Sequence, residues 1–492
     1  MPALMAFVAQ RPGAAFLAFA ALHVCVWTML PSLIYSNLPL DLIEALTYGR
    51  EWQLGSDKLP PLPWWLVEVA HRFVGADFAY YLLGEISVIA ALAAVWATAR
   101  ALVGDMAALA AVLIVDGLHY LNYTAAKFNH DVIQLPFWAL AGYAFRSGLR
   151  GGGTGAWLLL GIAIGGAFWA KYFVVVLIVP LGLFMLIDRE ARPTLKTAGP
   201  WLAAGTALLV MAPHLVWLAA HDFLPLSYAS ARATAPHAVI DHLLHPVEFA
   251  VSQAFFLVPS LLIAAPLLWP RPVAIAAPAD ALDRRLVTLL AFGPAATLIA
   301  GSLITGRGLV AMWGYPLWLF LGLWIVLTAG ATIDRLQFRR VALTWATVFS
   351  TFALAFLTNY VVMPRFDHRY RATLFPGREL ARTLSERYRA ATGQAPAYVI
   401  ATMWVGGNIA HYTPEQPRVL IDGNPQRAPW IDLADLKARG ALVAWVEGDR
   451  SAVPAKLQPG AAGASVQPPV TVQSECGRSS VEVGWAILPP QP

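Results

Sequence analysis

The residues best equipped for chemistry begin at Asp41. In Leu40–Trp52, the side chains of Asp41, Glu44, Tyr48 and Glu51 recur at i, i+3, i+7 and i+10, opposite Leu42, Ile43 and Leu46. That spacing predicts an amphipathic helix along a membrane surface, its polar stripe either simply solvated or offering carboxylates as bases. The next segment reads Asp57-Lys58-Leu59-Pro60-Pro61-Leu62-Pro63-Trp64-Trp65. Its prolines fix a rigid, non-helical turn. A lysine there can grip a phosphate, or it can snorkel beside tryptophans at the membrane interface. Further on, Asp116, His119 and Tyr120 precede Lys127-Phe128-Asn129-His130-Asp131. Asp131 fits a substrate-facing acid and equally the N-cap of the following helix. Asp116 sits about a turn inside an apolar run, where a carboxylate needs a partner or a wet cavity, and Glu85 raises the same question. Lys171-Tyr172, Pro213-His214 and Arg307 ahead of Met312-Trp313-Gly314 complete the set. A lone His214 reads first as a satisfied histidine between helices. His221, His237, His242 and His245, with Asp222 and Asp241, could supply ligands to a divalent metal. Their spacings match no standard template, so the metal stays unknown and no cofactor is firmly implied.

The elements that must position these groups are set by composition. The chain has 492 residues, 58% hydrophobic and only 13% charged, with a mean hydropathy of +0.59. This excludes a soluble enzyme and predicts a polytopic, all-α membrane protein. About eleven apolar runs can be drawn, from Gly13–Ile34, which reads as a retained anchor, to Val341–Tyr360. The run from Ala156 to Ile187 is interrupted only by Lys171. It is too long for one span, and basic segments flank both ends, so two short helices should turn at Lys171. Loops carrying Arg11, Arg100, Arg146/Arg150, Arg189/Arg192/Lys196, Arg271/Arg284/Arg285 and Arg335/Arg339/Arg340 then share the cytoplasmic face. Arg50, Lys58, Arg72, Lys127, Lys171, Arg232 and Arg307 fall on the other face. The net charge of +5 therefore reports orientation rather than a nucleic-acid partner, and an odd number of spans exports the C-terminus. Cys25 and Cys476 do not read as a disulfide pair.

Two domains are expected: a membrane domain over residues 1–361, whose first loop (residues 35–76) carries interfacial helices, and a small extracytoplasmic α/β domain over residues 362–492. In the latter, Ala397–Ala401, Val419–Asp422 and Ala441–Val446 read as strands, Arg378–Ala391 as a helix and Pro454–Pro469 as a loose loop. Internal repeats, a Walker loop, a dinucleotide glycine fingerprint and a nucleophile elbow are all missing from the sequence. Acids and bases gathered at the outer face, away from nucleotides, point to a substrate already activated and carried in the membrane, such as a lipid-phosphate-linked sugar.

Taken in order, Leu40-Asp41-Leu42-Ile43-Glu44, Gly49-Arg50-Glu51-Trp52-Gln53-Leu54-Gly55, Lys58-Leu59-Pro60-Pro61-Leu62, Lys127-Phe128-Asn129-His130, Lys171-Tyr172, Ala212-Pro213-His214 and Met312-Trp313-Gly314 resemble the polytopic GT-C glycosyltransferases. The resemblance is to the dolichyl-phosphate-mannose protein mannosyltransferase type, including bacterial lipid A aminoarabinose and rhizobial galacturonic acid transferases. It implies a GT-C bundle in the bacterial inner membrane, with a cytoplasmic N-terminus, a periplasmic C-terminal domain, a polyprenyl-phosphate sugar donor and a glycolipid or glycan acceptor, lipid A or lipopolysaccharide core in particular. It further implies Asp41, with Glu44, as the carboxylates at the acceptor, and Lys58, Lys171 and Arg307 at the leaving phosphate. Asp116, Asn129, His130, Asp131, Tyr172, His214 and Trp313 would line the substrates, and direct displacement would invert the anomeric carbon. Where many relatives carry two adjacent acids, Asp41 here is followed by Leu42. A protein O-mannosyltransferase and a non-enzymatic flippase of lipid-linked sugars are the alternative readings.

Overall fold

In the computed structural model, residues 8, 10–268, 280–329, 333–367, 369–473 and 480–491 are described. Arg271, Trp269 and Cys476 lie outside them. The chain contacts divide it into two compact units.

The first unit comprises Met1–Leu30, Lys58–Pro60 and Tyr81–Phe356. Its helices are drawn from α1 (Pro12–Ile34), α4 (Phe78–Val103), α5 (Asp105–Asp116), α6 (His130–Leu149), α7 (Gly153–Ala170), α8 (Val175–Ile187), α9 (Gly199–Ala220), α10 (Pro225–Arg232), α11 (Asp241–Leu268), α12 (Ala281–Thr305), α13 (Leu321–Ala329) and α14 (Arg335–Leu357). Among the described residues, seven helices are long and apolar enough to cross a membrane, or eight if α5 and the short helical turns over His119–Lys127, bent from it by 86°, form one broken span. The protein is therefore a multi-pass membrane protein; against the eleven or so apolar runs drawn from the sequence, the run Val310–Leu327 is only partly helical, over Ala311–Gly314 and Leu321–Ala329. The long run breaks where Lys171 interrupts it: α7 ends at Ala170, and Lys171 is extended at φ −165°. Close helix contacts rest on small residues. A side chain at Gly161 would meet the Ala203 carbonyl at 2.5 Å, and one at Gly165 would meet Val210 at 2.6 Å. In a bundle where lipid is as apolar as leucine, such close approach is what holds α7 to α9.

The second unit comprises Pro31–Asp57, Pro61–Tyr80 and Leu357–Pro492. It contains α2 (Leu40–Gly49), α3 (Leu62–Phe73), α15 (Gly377–Thr392), α16 (Met403–Tyr412), α17 (Leu433–Arg439) and strands β1 (Tyr398–Ala401), β2 (Arg418–Ile421), β3 (Ala441–Trp445), β4 (Ser465–Gln473) and β5 (Ser480–Leu488). The sheet order is β2-β1-β3-β5-β4. β1 runs parallel to β2 and β3, while β5 is antiparallel to β3 and β4. Strands β1 and β3 are buried throughout and β2 is buried beyond Arg418, with helices α16 and α17 as the crossovers, as buried parallel pairing requires. α15 buries Leu380, Ala381, Leu384, Ser385 and Tyr388 along one stripe and stops at Gly393, whose φ of +75° is the left-handed cap that glycine adopts readily.

Two expectations are corrected here. The tail Pro454–Pro469 is not loop throughout, because β4 begins at Ser465 and absorbs Pro468 and Pro469 in a register shift between Gln467 and Val470. β4 is an edge strand, where proline is tolerated. α2 does not present a solvated stripe: Leu42 through Gly49 are all buried. Helix α16 explains this, since Gly407 lies so close that a side chain there would meet Thr47 at 2.5 Å and Ile43 at 2.6 Å.

Candidate functional site

In the membrane unit, the candidate residues gather where helices begin and end. Asn129 caps α6, its side chain accepting from the Val132 N–H at 3.1 Å. The cap is Asn129 rather than Asp131, which frees Asp131 in the first turn. Lys171 Nζ donates to Asp131 Oδ1 at 2.6 Å, and Gln134 donates to the same oxygen at 2.8 Å. The pair is largely enclosed, with side-chain exposures of 13% for Lys171 and 8% for Asp131, so its charges attract through little intervening water. The neighbouring His130 donates through Nε2 to the Pro60 carbonyl at 3.2 Å. His130 thus ties the Lys58–Pro60 turn to α6. The residue just before the cap, Phe128, is buried at φ +47°.

The same strip continues through the next residues. The Tyr172 hydroxyl is hydrogen-bonded to His214 Nε2 at 2.8 Å, and Trp217 stacks on His214 with ring centroids 5.7 Å apart. His214 is fully buried. Phe173 meets Trp313 with centroids 6.0 Å apart. Arg307 is set by α10, its Nη1 donating to the Ser230 carbonyl at 2.9 Å. On the same short helix, Tyr228 offers its ring to the Lys58 ammonium, 5.8 Å from the centroid. Tyr228 thus brings the Lys58 turn and the Arg307 loop onto one element. It carries no signal in the sequence, because a single tyrosine in a polar loop has no pattern around it.

Asp116 is placed apart from this strip. His23 lies between two acids, its Nε2 3.0 Å from Glu85 and its Nδ1 3.0 Å from Asp116, all three without exposed side-chain surface. Trp345 donates to the other Asp116 oxygen at 2.7 Å, and the Asn122 amide joins the Asp116 carbonyl to Trp27. The partner that a carboxylate inside the bundle requires is present for both Glu85 and Asp116.

The acids of the first loop belong to the second unit. Asp41 opens α2 and is half-buried, and Glu44 is buried one turn on. Tyr48 stacks on Trp64 at 4.5 Å and donates its hydroxyl to Asp57 at 3.0 Å. Burial, with Asp57 and Glu44 nearby, pushes the Tyr48 phenol well above its ordinary range, so it remains a donor. Glu51 is paired with Arg418 at 2.5 Å and with Arg50 at 3.7 Å.

Among the described residues, no three His, Cys, Asp or Glu side chains converge as metal ligands do. The loop histidines are otherwise engaged: His221, His242 and His245 donate to the carbonyls of Trp217, Leu303 and Gly306, and Asp241 accepts the backbone N–H groups of His237 and Ala238.

Residues 58–217 match the model of the dolichyl-phosphate-mannose-protein mannosyltransferase family. Across nearly its whole length the chain also superposes on ArnT from Cupriavidus metallidurans bound to undecaprenyl phosphate, with a TM-score of 0.63 at 13% identity, covering 97% of this chain and 99% of that one. This is a GT-C fold. The apo form of the same ArnT superposes with a TM-score of 0.60 at 14% identity, covering 98% and 100%. The resemblance read from the sequence therefore holds. Two curated relatives from Rhizobium johnstonii are similar in sequence. The lipid A galacturonosyltransferase RgtD is 25% identical over 193 residues, 37% of this chain, and the lipopolysaccharide core galacturonosyltransferase RgtB is 28% identical over 200 residues, 39% of this chain. Both alignments span 39% of the relative's own length. Within the GT-C fold, Lys58, Asn129, His130, Asp131, Lys171, Tyr172 and His214 lie in the matched segment, whereas Asp41, Glu44, Arg307 and Trp313 lie beyond it.

Proposed function

We propose that this protein is a membrane glycosyltransferase that moves a sugar from a polyprenyl-phosphate donor to lipid A or the lipopolysaccharide core, with inversion at the anomeric carbon. The observation that carries this reading is the enclosed Asp131–Lys171 pair, joined through His130 to the turn that holds Lys58. Two ammonium groups set by rigid backbone suit a dianionic leaving group, because preoriented charge needs little reorganisation as negative charge builds on the phosphate. Arg307, anchored on α10 beside Tyr228, would add a third cation. Asp131 holds Lys171 in place, while Asn129, His130, Tyr172, His214 and Trp313 shape the wall around the sugar and its lipid carrier. Asp116 is left as part of the buried brace. Asp41 is the general base: it would take the proton from the acceptor hydroxyl or amine as that atom attacks the anomeric carbon and the bond to the lipid phosphate breaks. Glu44, a turn further along α2, supports that charge. The donor and acceptor assignments draw on the matched family segment and on the two galacturonosyltransferase relatives.

The test is mass spectrometry of envelope glycolipids from cells with the wild-type protein, with Asp41→Asn, and with none. The expected outcome is one glycan short of a single sugar in both the variant and the deletion, while Asp41→Asn still binds undecaprenyl phosphate. A change confined to the deletion would remove Asp41 from catalysis. An unchanged profile in the deletion would remove the acceptor assignment.

A further inference from the structure

Within the second unit, the ends of α2, α3 and α16 enclose a small polar cleft whose lining includes Arg50, Glu51, Glu68, His71, His411 and Gln416. Arg50 directly follows α2, and the contacts of its guanidinium are long: the Pro417 carbonyl at 3.4 Å and Glu51 at 3.7 Å. The two carboxylates beside it are already claimed from outside. Arg418 takes Glu51 at 2.5 Å and Arg72 takes Glu68 at 2.7 Å, and the acid side chains are only 7% and 5% exposed. Burial lowers the Arg50 guanidinium from its ordinary value, while Glu51 and Glu68 support its charge. Three arginines against two acids leave the cleft one positive charge in excess, and the nearby Arg378 is balanced by Asp77 at 3.0 Å. Two imidazoles complete the lining, His71 and His411, with ring centroids 5.8 Å apart. His71 Nδ1 is hydrogen-bonded to the Tyr80 hydroxyl at 2.7 Å, which leaves Nε2 only a 3.4 Å contact with the Gln416 amide nitrogen. Burial, with His71 and Arg378 nearby, pushes His411 down to about 3, so its ring is neutral and keeps one N–H to donate. Gln416 itself is held at φ +45°, a strained backbone of the kind that persists at ligand clamps.

We propose that this cleft binds a singly charged oxyanion, a carboxylate or a phosphate group, with Arg50 as its principal contact. The surplus charge sets the sign of the ligand. The guanidinium sets its shape, because a planar fork of N–H donors pairs two oxygens of one group at once. The neutral imidazoles and the Gln416 amide can each turn a donor to the same group without adding charge. An arginine with a purely internal role would sit within hydrogen-bond range of an acid, whereas here both acids are held more closely by other arginines. The proposal uses residues of the second unit alone and does not rest on the phosphate roles of Lys58 and Lys171. The oxyanion is either a small anion from solution or a charged group of a glycolipid, and the chemistry that recognises it is the same for both.

The experiment is thermal unfolding of the full-length protein in phosphatidylcholine nanodiscs, titrated with inorganic phosphate or with acetate at constant ionic strength, chloride being the reference anion. Saturable stabilisation beyond that in chloride is expected, because a ligand that binds only the folded state raises the midpoint. Arg50→Gln should raise the dissociation constant of the stabilising anion about tenfold or more. Arg50→Lys, which keeps the charge and loses the fork, should recover only part of that. His411→Phe removes one donor and should weaken binding roughly threefold. If Arg50→Gln does not fold, Arg50→Lys and His411→Phe carry the test together. Equal midpoints in phosphate, acetate and chloride overturn the proposal. So does anion-dependent stabilisation that survives Arg50→Gln, or both substitutes, unchanged, since the anion would then be bound elsewhere on the molecule. Lipid A added to the nanodiscs separates the two sources: competition with the soluble anion supports a glycolipid group in the cleft, and undiminished binding supports a small anion from solution.

Discussion

At the scale of single residues, the question is what each charge is doing for its neighbour. Lys171 satisfies Asp131 at 2.6 Å in a place with little water, so the two substitutions should separate two effects. On the proposed phosphate role, Lys171→Ala would remove a cation from the leaving group, and it strands a buried carboxylate. Transfer should fall by on the order of 10²–10³, and stability by roughly 3 kcal/mol. Asp131→Asn keeps the shape and the Lys171 charge, so its loss should be the smaller, about tenfold in rate. Initial rates on purified enzyme with the donor identified by glycolipid profiling, alongside thermal unfolding, would measure both. Equal losses in the two variants would mean that the pair acts only as a brace. Lys58, Lys171, His130 and Asp131 were legible in the sequence because each stands next to a proline run, a break in an apolar stretch or a helix start. Tyr228 was not, because its meaning lies in Lys58, far along the chain, and one sequence does not display pairings of that kind. For Asp131 the cap reading failed for a local reason: Asn129, two residues earlier, already supplies the oxygen that the α6 N-terminus needs.

At the scale of elements, the breaks in the helices are what position the site, and each has its own support. The bend after α5 is set beside the Glu85–His23–Asp116 group, where one imidazole serves two acids and Trp345 secures the second oxygen of Asp116. Substituting His23→Leu would leave both carboxyl groups buried without their shared partner, at a cost on the order of 3 kcal/mol. Trp345→Phe removes a single hydrogen bond and should cost about 1 kcal/mol. Thermal unfolding in one detergent would rank them, and a His23→Leu protein as stable as the wild type would show that the acids carry no load there. Helices α1, α4, α7, α9 and α12 were readable as long apolar runs, because membrane burial demands uninterrupted hydrophobicity. α2 was readable as a helix but not in its surroundings, since the period of its polar residues is the same whether water or another helix covers them. β4 was hidden by Pro468 and Pro469, which argue against a strand everywhere except at a sheet edge.

At the scale of the whole molecule, the ion pairs separate the two ends of the bundle. Helix α6 starts at the Asp131–Lys171 pair and carries in its last turn Arg146, which meets Asp283 at 2.9 Å, while Arg150 beyond it meets Asp280 at 2.8 Å. Arg285, in the first turns of α12, meets Asp188 at 2.6 Å just after α8. The loops after α6 and α8 and the start of α12 therefore share one end, opposite the candidate site, and it is the end rich in basic residues. The positive-inside rule leads us to expect that end on the cytoplasmic side, which would direct the Lys171 end to the periplasm. Alkaline phosphatase, active only when exported, should therefore be active when fused after Leu488 and inactive when fused after Arg150. The converse pattern would place the proposed site on the side where nucleotide-sugars are available, and the argument for a lipid-linked donor would lose its topological basis even with every residue of the site in place.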